Sequence, residues 1–179
     1  MSVWQASDVT TWEQALVSDG GRKSEVAWVQ GTAPDVGQRA LWLTWHDDAI
    51  VVVTGGNEQP DPGFVDGATT TVVIRSKDKE VRLMTIEVLV QELAVDSDAW
   101  QTTAEALHAK RLNSVDGDET TKRWRTTSQL WRLSPTGKTF ETPGAMSNNS
   151  HRTAPVATPA TTDSPPPLMV GRKVRRRPL

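Results

Sequence analysis

The longest regular pattern of apolar positions lies in residues 69–93. Residues 69–74 are almost wholly β-branched, and residues 81–90 mix β-branched with long apolar side chains. Such side chains favour a pleated, half-buried surface, and two runs of them separated by polar residues indicate a β-hairpin. The residues between the runs are nearly all charged and include Arg75, Lys77 and Lys79. The pattern therefore predicts a long hairpin with cations gathered at its turn.

Four shorter runs predict four more strands, in residues 25–29, 39–45, 49–54 and 128–133. In residues 39–45 two leucines alternate with a tryptophan and a threonine, which places the two kinds of side chain on opposite faces of a strand. The sequence His-Asp-Asp at residues 46–48 predicts a turn, so this strand and the next form a second hairpin. Pro135 and Gly137 are predicted to end the last strand, because Pro and Gly interrupt regular structure.

Three segments have the apolar spacing of a helix. The first, residues 7–17, is predicted to stop at Gly20 and Gly21. The clearest, residues 97–112, has Ser97 as a suitable N-cap and Asn113 as a stop, and residues 118–126 predict a short third helix. The Pro- and Gly-rich residues 57–67 are predicted to be irregular.

The order of these elements predicts the fold class. Strands that follow one another without intervening helices pair antiparallel, and about six can close into a small barrel without exposed edges. We therefore expect a mainly β fold with helices (α+β). It is a six-stranded antiparallel barrel over residues 1–142, with an N-terminal helix and a helix before the last strand. From residue 143 to 179 the Pro-, Thr- and Ser-rich composition predicts a disordered tail.

Composition and charge narrow the classes of function. The chain has no cysteine, which excludes disulfides and thiolate catalysis. Its three histidines lack metal-ligand spacing, so we identify neither a metal site nor a catalytic residue. The tail has six cations against one acid and ends in GRKVRRRPL, so the body is acidic. An acidic body is a poor surface for nucleic acid, whereas the tail could contact an acidic partner.

The sequence contains neither a signal-peptide pattern nor a membrane-spanning stretch, so we expect a protein of the cytoplasm. The N-terminus lacks the cationic start and apolar run of a signal peptide. No stretch approaches the roughly 18 apolar residues of a membrane span. Eight tryptophans, two phenylalanines and no tyrosine mean that Trp supplies most of the aromatic bulk of the core.

Several segments together resemble the pyridoxamine 5′-phosphate oxidase-like family. The sequences LWLTW at residues 41–45 and IVVVTG at residues 50–55, separated by Asp47 and Asp48, are similar to its paired second and third strands. Residues 71–85 resemble the next hairpin as it occurs in actinobacterial members. Residues 99–113 resemble the helix before the final strand. The resemblance covers roughly residues 8–138, and it is carried by the order and spacing of these segments.

The resemblance implies the FMN-binding split β-barrel fold and a homodimer with a flavin, FMN, or the deazaflavin F420 bound between two barrels. It implies an oxidoreductase that acts on a small molecule whose identity stays open. The cofactor would supply the chemistry, and the protein would bind and orient it. In the family, cations, hydroxyls and small residues on neighbouring strands hold the cofactor phosphate. The cofactor-binding residues expected in this chain are Thr54, Arg75, Ser76 and Lys77 near the phosphate, Gly55, whose backbone a phosphate could approach, and Trp42, which would line the groove.

Two alternatives to the oxidoreductase remain at this point. Many flavin-binding members have a Lys-x-Arg-Asn-like segment after the third strand, where this chain has residues 55–60, GGNEQP. A glutamate there is expected to repel a phosphate, so the barrel could be a non-catalytic ligand-binding or interaction module without flavin. The cations near Arg75 could equally be a solvated turn. A third possibility is an interaction protein that works through its basic tail.

Overall fold

The computed structural model describes residues 11–33, 36–77, 81–111 and 117–148. Within these ranges the chain forms one sheet and three α-helices, together with a short 3-10 turn at Gly117–Glu119. In chain order the elements are α1 (Thr11–Lys23), β1 (Val26–Gln30), β2 (Gln38–Trp42), β3 (Thr44–His46), β4 (Ala49–Thr54), β5 (Thr69–Arg75), β6 (Arg82–Glu92), α2 (Asp98–Lys110), α3 (Thr120–Thr127) and β7 (Gln129–Glu141).

The sheet is antiparallel throughout and has the strand order β2-β1-β5-β6-β7-β4-β3. The two edge strands, β2 and β3, are separated in the chain by Leu43 alone. Because one residue can span only about 3.5 Å, the sheet must curl until its two edges approach each other. Leu43 N still donates to the carbonyl of Glu25 at 3.0 Å, which extends the β1–β2 pairing to the corner.

This corner corrects the predicted strand count. Residues 39–45 were expected to be one strand, but the structure divides them into β2 and β3 at Leu43, which gives seven strands instead of six. The alternation of apolar and polar positions continues through the corner, so periodicity alone could not locate it. The antiparallel α+β class and the predicted hairpins are confirmed, including the turn at Asp47 and Asp48, where both residues have positive φ.

The core has two layers, one on each face of the sheet. The inner layer fills the curl of the sheet, and the outer layer lies between β4, β7 and the helices α2 and α3. All six residues of β4 are buried because this strand contacts both layers. That double burial explains the uninterrupted apolar run AIVVV, which an alternating half-exposed strand would not need.

Helix α1 differs from its predicted extent, since it continues through Gly20 and Gly21 to Lys23. A Cβ on Gly21 would lie 2.2 Å from a ring carbon of Trp45, and one on Gly20 would lie 2.9 Å from Ile74. The glycines therefore let the helix approach the inner core closely. They act as contact residues within a helix, and the prediction that they end it was wrong. The predicted start of this helix at residue 7 lies outside the described residues.

Strand β7 also differs from its prediction, because it passes through Pro135 and Gly137 and ends at Glu141. On β6, Ile86 and Val88 are two residues apart, whereas their partners on β7, Thr139 and Pro135, are four apart. The extra residues form a bulge, with Gly137 at a φ of 96°. A bulge accommodates both the missing N–H of Pro and a positive φ, so the strand bends there and continues.

The predicted helix at residues 97–112 is confirmed over Asp98–Lys110, and Ser97 Oγ accepts the N–H of Trp100 at 3.1 Å as an N-cap. Leu112 and Asn113 lie outside the described residues. The short helix is confirmed as α3, and the loop between β4 and β5 is irregular as expected, with Phe64 packed edge-on against Trp131.

The described chain ends at residue 148, shortly after β7. Arg82 Nη2 donates to the carbonyl of Ser147 at 2.9 Å, and Arg82 Nη1 pairs with Glu141 Oε2 at 3.3 Å. Residues 143–148 therefore fold back along the end of the sheet. Residues 149–179 lie outside the described part, so the domain boundary at residue 142 and the disordered tail stay predictions.

The close approach at Gly21 leads to a stability prediction. Gly21→Ala is expected to lower the free energy of unfolding by about 1–3 kcal/mol, the typical cost of overpacking, despite the roughly 1 kcal/mol by which Ala favours a helix. Urea denaturation followed by tryptophan fluorescence measures it. Exposed Arg22→Ala is the control and should change little. A Gly21→Ala protein as stable as the parent would contradict the packing of α1 on Trp45.

Candidate functional site

The chain makes a tight turn immediately after β4. Glu58 N donates to Gly55 O at 3.0 Å, and Gly55 N donates to Gln59 O at 2.9 Å. Gly55 and Gly56 have φ values of 81° and 59°, which other residues rarely adopt. A Cβ on Gly56 would lie 2.9 Å from the carbonyl oxygen of Thr127. The glycines thus allow the turn to lie directly against the end of α3.

The side chain of Gln59 joins this turn to the edge strand β2. Its Oε1 accepts the N–H of Trp42 at 2.5 Å, and its Nε2 donates to the carbonyl of Trp42 at 2.9 Å. Nε2 also donates to Val53 O at 3.3 Å. The amide therefore satisfies backbone groups that a neighbouring strand would otherwise pair. It holds β2 beside β4 where the edges of the sheet approach each other.

Glu58 is a buried carboxylate, with 0% of its side chain exposed. Arg111 Nη1 lies 2.7 Å from its Oε2, and Arg123 Nη2 lies 3.1 Å from its Oε1. Trp124 Nε1 also donates to Oε1, at 2.9 Å. The contact to Oε2 is close but poorly aligned for a hydrogen bond, so it is chiefly an ion pair. Because Arg111 follows α2 and Arg123 belongs to α3, one carboxylate joins the two helices to the turn.

These contacts change the electrostatics that the sequence suggested for Glu58. Its negative charge was expected to repel a phosphate, but two guanidinium groups meet it. The arginine side chains keep 19% and 22% of their area exposed, so they lie between the buried carboxylate and the surface. The guanidinium of Arg111 also lies 5.5 Å from the ring centroid of Trp42, a cation–π distance. Cations therefore do border the turn after β4, supplied by distant parts of the chain.

Three of the predicted site residues come together here. Trp42 is half-buried and bonded to Gln59, and Thr54 forms an isolated bridge to that same residue. Gly55 begins the turn. Thr54 is fully buried, and its hydroxyl accepts the indole N–H of Trp131 at 3.0 Å. Its Oγ1 therefore faces the interior of the curl, whereas Trp42 packs against the outer layer.

The other three predicted residues lie at the turn of the β5–β6 hairpin. Ser76 N donates to Val81 O at 2.9 Å, and Ser24 Oγ donates to the carbonyl of Arg75 at 3.3 Å. Lys77 is exposed. Strand β1 lies between this turn and β2, so the two groups are separated by two strand spacings, about 10 Å. The roles of all six residues as cofactor ligands stay predictions.

Between the two groups lies an apolar surface on the outside of β1, β2 and β5, here called the bare face. Val26 and Trp28 are 40% and 42% exposed. Trp28 pairs with exposed Ala40 on one side and with half-buried Val73 on the other. Val26 pairs with Trp42, so the bare face borders the tryptophan on which Arg111 stacks. Large exposed apolar side chains in one patch are typical of binding surfaces.

The sequence offered no signal for this arrangement of Arg111, Arg123 and Trp28. Arg111 falls in the last turn of the predicted helix at residues 97–112, where a cation is favourable for the helix dipole, and Trp28 falls in the predicted strand at residues 25–29. Their proximity to the turn and to Trp42 depends on contacts between segments far apart in the chain. The burial of Glu58, which calls for a cationic partner, is known only from the structure.

Comparisons with known proteins give a fold and no family. No family model matches the chain, and no curated protein matches it in sequence. Four chains of solved structures match. Among them is HutZ, the heme storage protein from Vibrio cholerae, with a TM-score of 0.50 and 10% identity over 69% of this chain and 90% of that one. At this identity the likeness concerns the fold alone, and it supports the split-barrel fold expected from the sequence.

None of the helices in the described part of the chain is both long and apolar enough to cross a membrane. In the same residues, no three His, Asp or Glu side chains gather as a metal site would require.

The burial of Glu58 predicts a large effect of its removal. Glu58→Ala is expected to lower the free energy of unfolding by about 3–5 kcal/mol, because it leaves two arginines without their buried partner. Asp19→Ala is the matched control. It removes a carboxylate whose pair with Lys23 is 59% exposed on both sides, and such pairs contribute about 0–1 kcal/mol. Equal effects of the two substitutions in urea denaturation would show that Glu58 has no special structural role.

Proposed function

We propose that this chain is a split-barrel protein that binds FMN, or alternatively the deazaflavin F420, on its bare face. The observation that carries the proposal is an exposed apolar strip with cations on both sides. Trp28, Val26 and Val73 offer a flat surface to a planar ring. Arg111 stands on one side of the strip, and the turn that contains Arg75 and Lys77 stands on the other. A planar ligand with a phosphate needs these two features together.

A second copy of the chain is the proposed cover for the ligand. The bare face exposes large apolar side chains in a protein whose opposite outer face, over β4 and β7, is covered by α2 and α3. A homodimer with the ligand between the two bare faces would remove both this apolar area and the planar ring from water. This agrees with the homodimer that the family resemblance implies.

The reaction proposed is redox chemistry on a small molecule, which a bound flavin or deazaflavin would supply. The residues of this chain would bind and orient the ring through Trp28 and its neighbours and hold the phosphate through cations. The runner-up is a non-catalytic module that binds a planar anionic ligand. It is favoured by Glu58, which occupies the position of a family cation and already engages Arg111. HutZ is described as a heme storage protein, so heme belongs among the ligands to be tested.

The proposal predicts that the purified protein binds FMN or F420 with quenching of ligand fluorescence. Trp28→Ala should weaken that binding at least tenfold, because it removes most of the surface on which the ring stacks, a contact worth about 1–3 kcal/mol for a stacked base. Trp12→Ala is the matched control, since Trp12 is 51% exposed but lies on α1.

The outcomes separate the candidate functions. Binding of FMN or F420 that depends on Trp28 and not on Trp12 supports the proposal. Binding of hemin alone, with the same dependence, would favour the non-catalytic module. A protein that binds none of the three ligands, or binds them equally well after Trp28→Ala, would rule out the bare face as the site.

A further inference from the structure

Arg111 is held in a way that leaves it able to bind a second anion. It contacts Glu58, through an ion pair of 2.7 Å, and the ring of Trp42. Glu58 also forms an ion pair with Arg123 and accepts a hydrogen bond from the indole N–H of Trp124. One carboxylate is thus divided among three donors, so it neutralises Arg111 only in part.

The hydrogen-bonding capacity of Arg111 supports the same inference. A guanidinium has five N–H donors in a planar fork, which suits the oxygens of a phosphate. Its Nε is buried and has no hydrogen-bond acceptor within the described residues, while 19% of the side chain reaches the surface. An incoming oxygen can therefore meet the exposed part of the guanidinium without displacing a hydrogen bond at Nε. The ion pair with Glu58 and the stacking contact with the ring of Trp42 hold the guanidinium in place.

Arg111 also lies at the border of the bare face. Trp42, on which Arg111 stacks, pairs directly with Val26 of the bare face. A ligand whose ring lies on that face would have its phosphate within reach of this border. The turn at Arg75 lies across β1 on the other side of the face.

We propose that Arg111, backed by Glu58 and oriented by Trp42, is the binding residue for a phosphate group at the border of the bare face. The inference rests on the proposed ligand-binding function for the identity of the natural ligand. The phosphate itself could belong to a cofactor such as FMN or be free in solution. Arg75, Ser76 and Lys77 would then contact other polar groups of the ligand.

The first experiment compares FMN with riboflavin, which lacks the phosphate, by fluorescence titration of the full chain. The native protein is expected to bind FMN at least tenfold more tightly than riboflavin, and Arg111→Gln is expected to abolish that preference. Arg125→Gln is the matched control, because Arg125 also stacks on a tryptophan, at 4.8 Å from the ring centroid of Trp100, and also pairs with a carboxylate. It should keep the preference. Equal affinity of the native protein for the two ligands, or a preference that survives Arg111→Gln, would overturn the proposal.

The second experiment does not depend on flavin binding. Inorganic phosphate is added to the native protein and its 31P line broadening is measured at constant ionic strength. Broadening is expected, and Arg111→Gln should remove it, whereas Glu58→Gln should increase phosphate affinity about threefold or more by releasing Arg111 from its internal anion. No broadening with the native protein, or the same broadening after Arg111→Gln, would contradict the inference.

The results of the two experiments distinguish a failure of the proposed function from a failure of the proposed phosphate site. Phosphate binding at Arg111 in a protein that binds neither FMN nor F420 would refute the proposed cofactor and leave this site standing. FMN and riboflavin bound with equal affinity would leave the proposed function standing and refute this site. If Glu58→Gln does not fold, the comparison of the native protein with Arg111→Gln and Arg125→Gln still decides the question.

Discussion

The buried carboxylate of Glu58 is the interaction on which the outer half of the structure depends. It lies in a turn that Gly55 and Gly56 form at positive φ, and it receives Arg111 from the end of α2 and Arg123 and Trp124 from α3. A charge so buried is stable only where cations and N–H donors meet it. The position of Glu58 therefore fixes both helices over β4 and β7. It also fixes the place of Arg111 beside Trp42, from which the proposed binding site follows.

The same arrangement divides the outside of the sheet into two unlike parts. Over β4 and β7, α2 and α3 cover an apolar layer that contains Trp100 and Trp124. Over β1, β2 and β5 no described helix lies on the outer surface, and Trp28 and Val26 face solvent. The asymmetry lies in what covers the strands and not in their composition, since β4 (AIVVVT) and β1 (VAWVQ) both carry apolar residues on both faces, but β4 is buried throughout whereas burial alternates along β1. The binding function was proposed for the uncovered part because Val26 and Trp28 remain 40% and 42% exposed there.

Local patterns predicted the elements well where one physical effect dominated. The β-branched residues of β5 and β6 predicted the hairpin, and Ser97 predicted the start of α2. Both predictions held because strand preference and helix capping depend on local sequence. Errors arose where tertiary contacts overrode a local signal. Gly21 lies within a helix because Trp45 requires a close approach, Leu43 is a corner because the sheet curls, and Pro135 lies in a strand because a bulge accommodates it.

The contacts of the candidate site were harder to predict from the sequence than the helices and strands. Trp42, Thr54 and Gly55 are close together because Gln59 joins β2 to the end of β4 where the sheet curls. Arg111 and Arg123 could not be foreseen, because they reach the turn from segments more than fifty residues away. Glu58 was taken as a source of repulsion because its partners are remote in sequence. Charge in a folded protein depends on neighbours in space, which a linear pattern does not reveal.

The central claim is that the bare face, with Trp42 and Arg111 at its border, receives a planar phosphate-bearing ligand. Its most direct test is the indole N–H spectrum of the 15N-labelled protein, in which the eight tryptophans give separate signals. On addition of FMN or F420, the signals of Trp28 and Trp42 are predicted to shift, and those of Trp12 and Trp100 are predicted to stay in place. Shifts confined to other tryptophans, with Trp28 and Trp42 unchanged at saturation, would contradict the account.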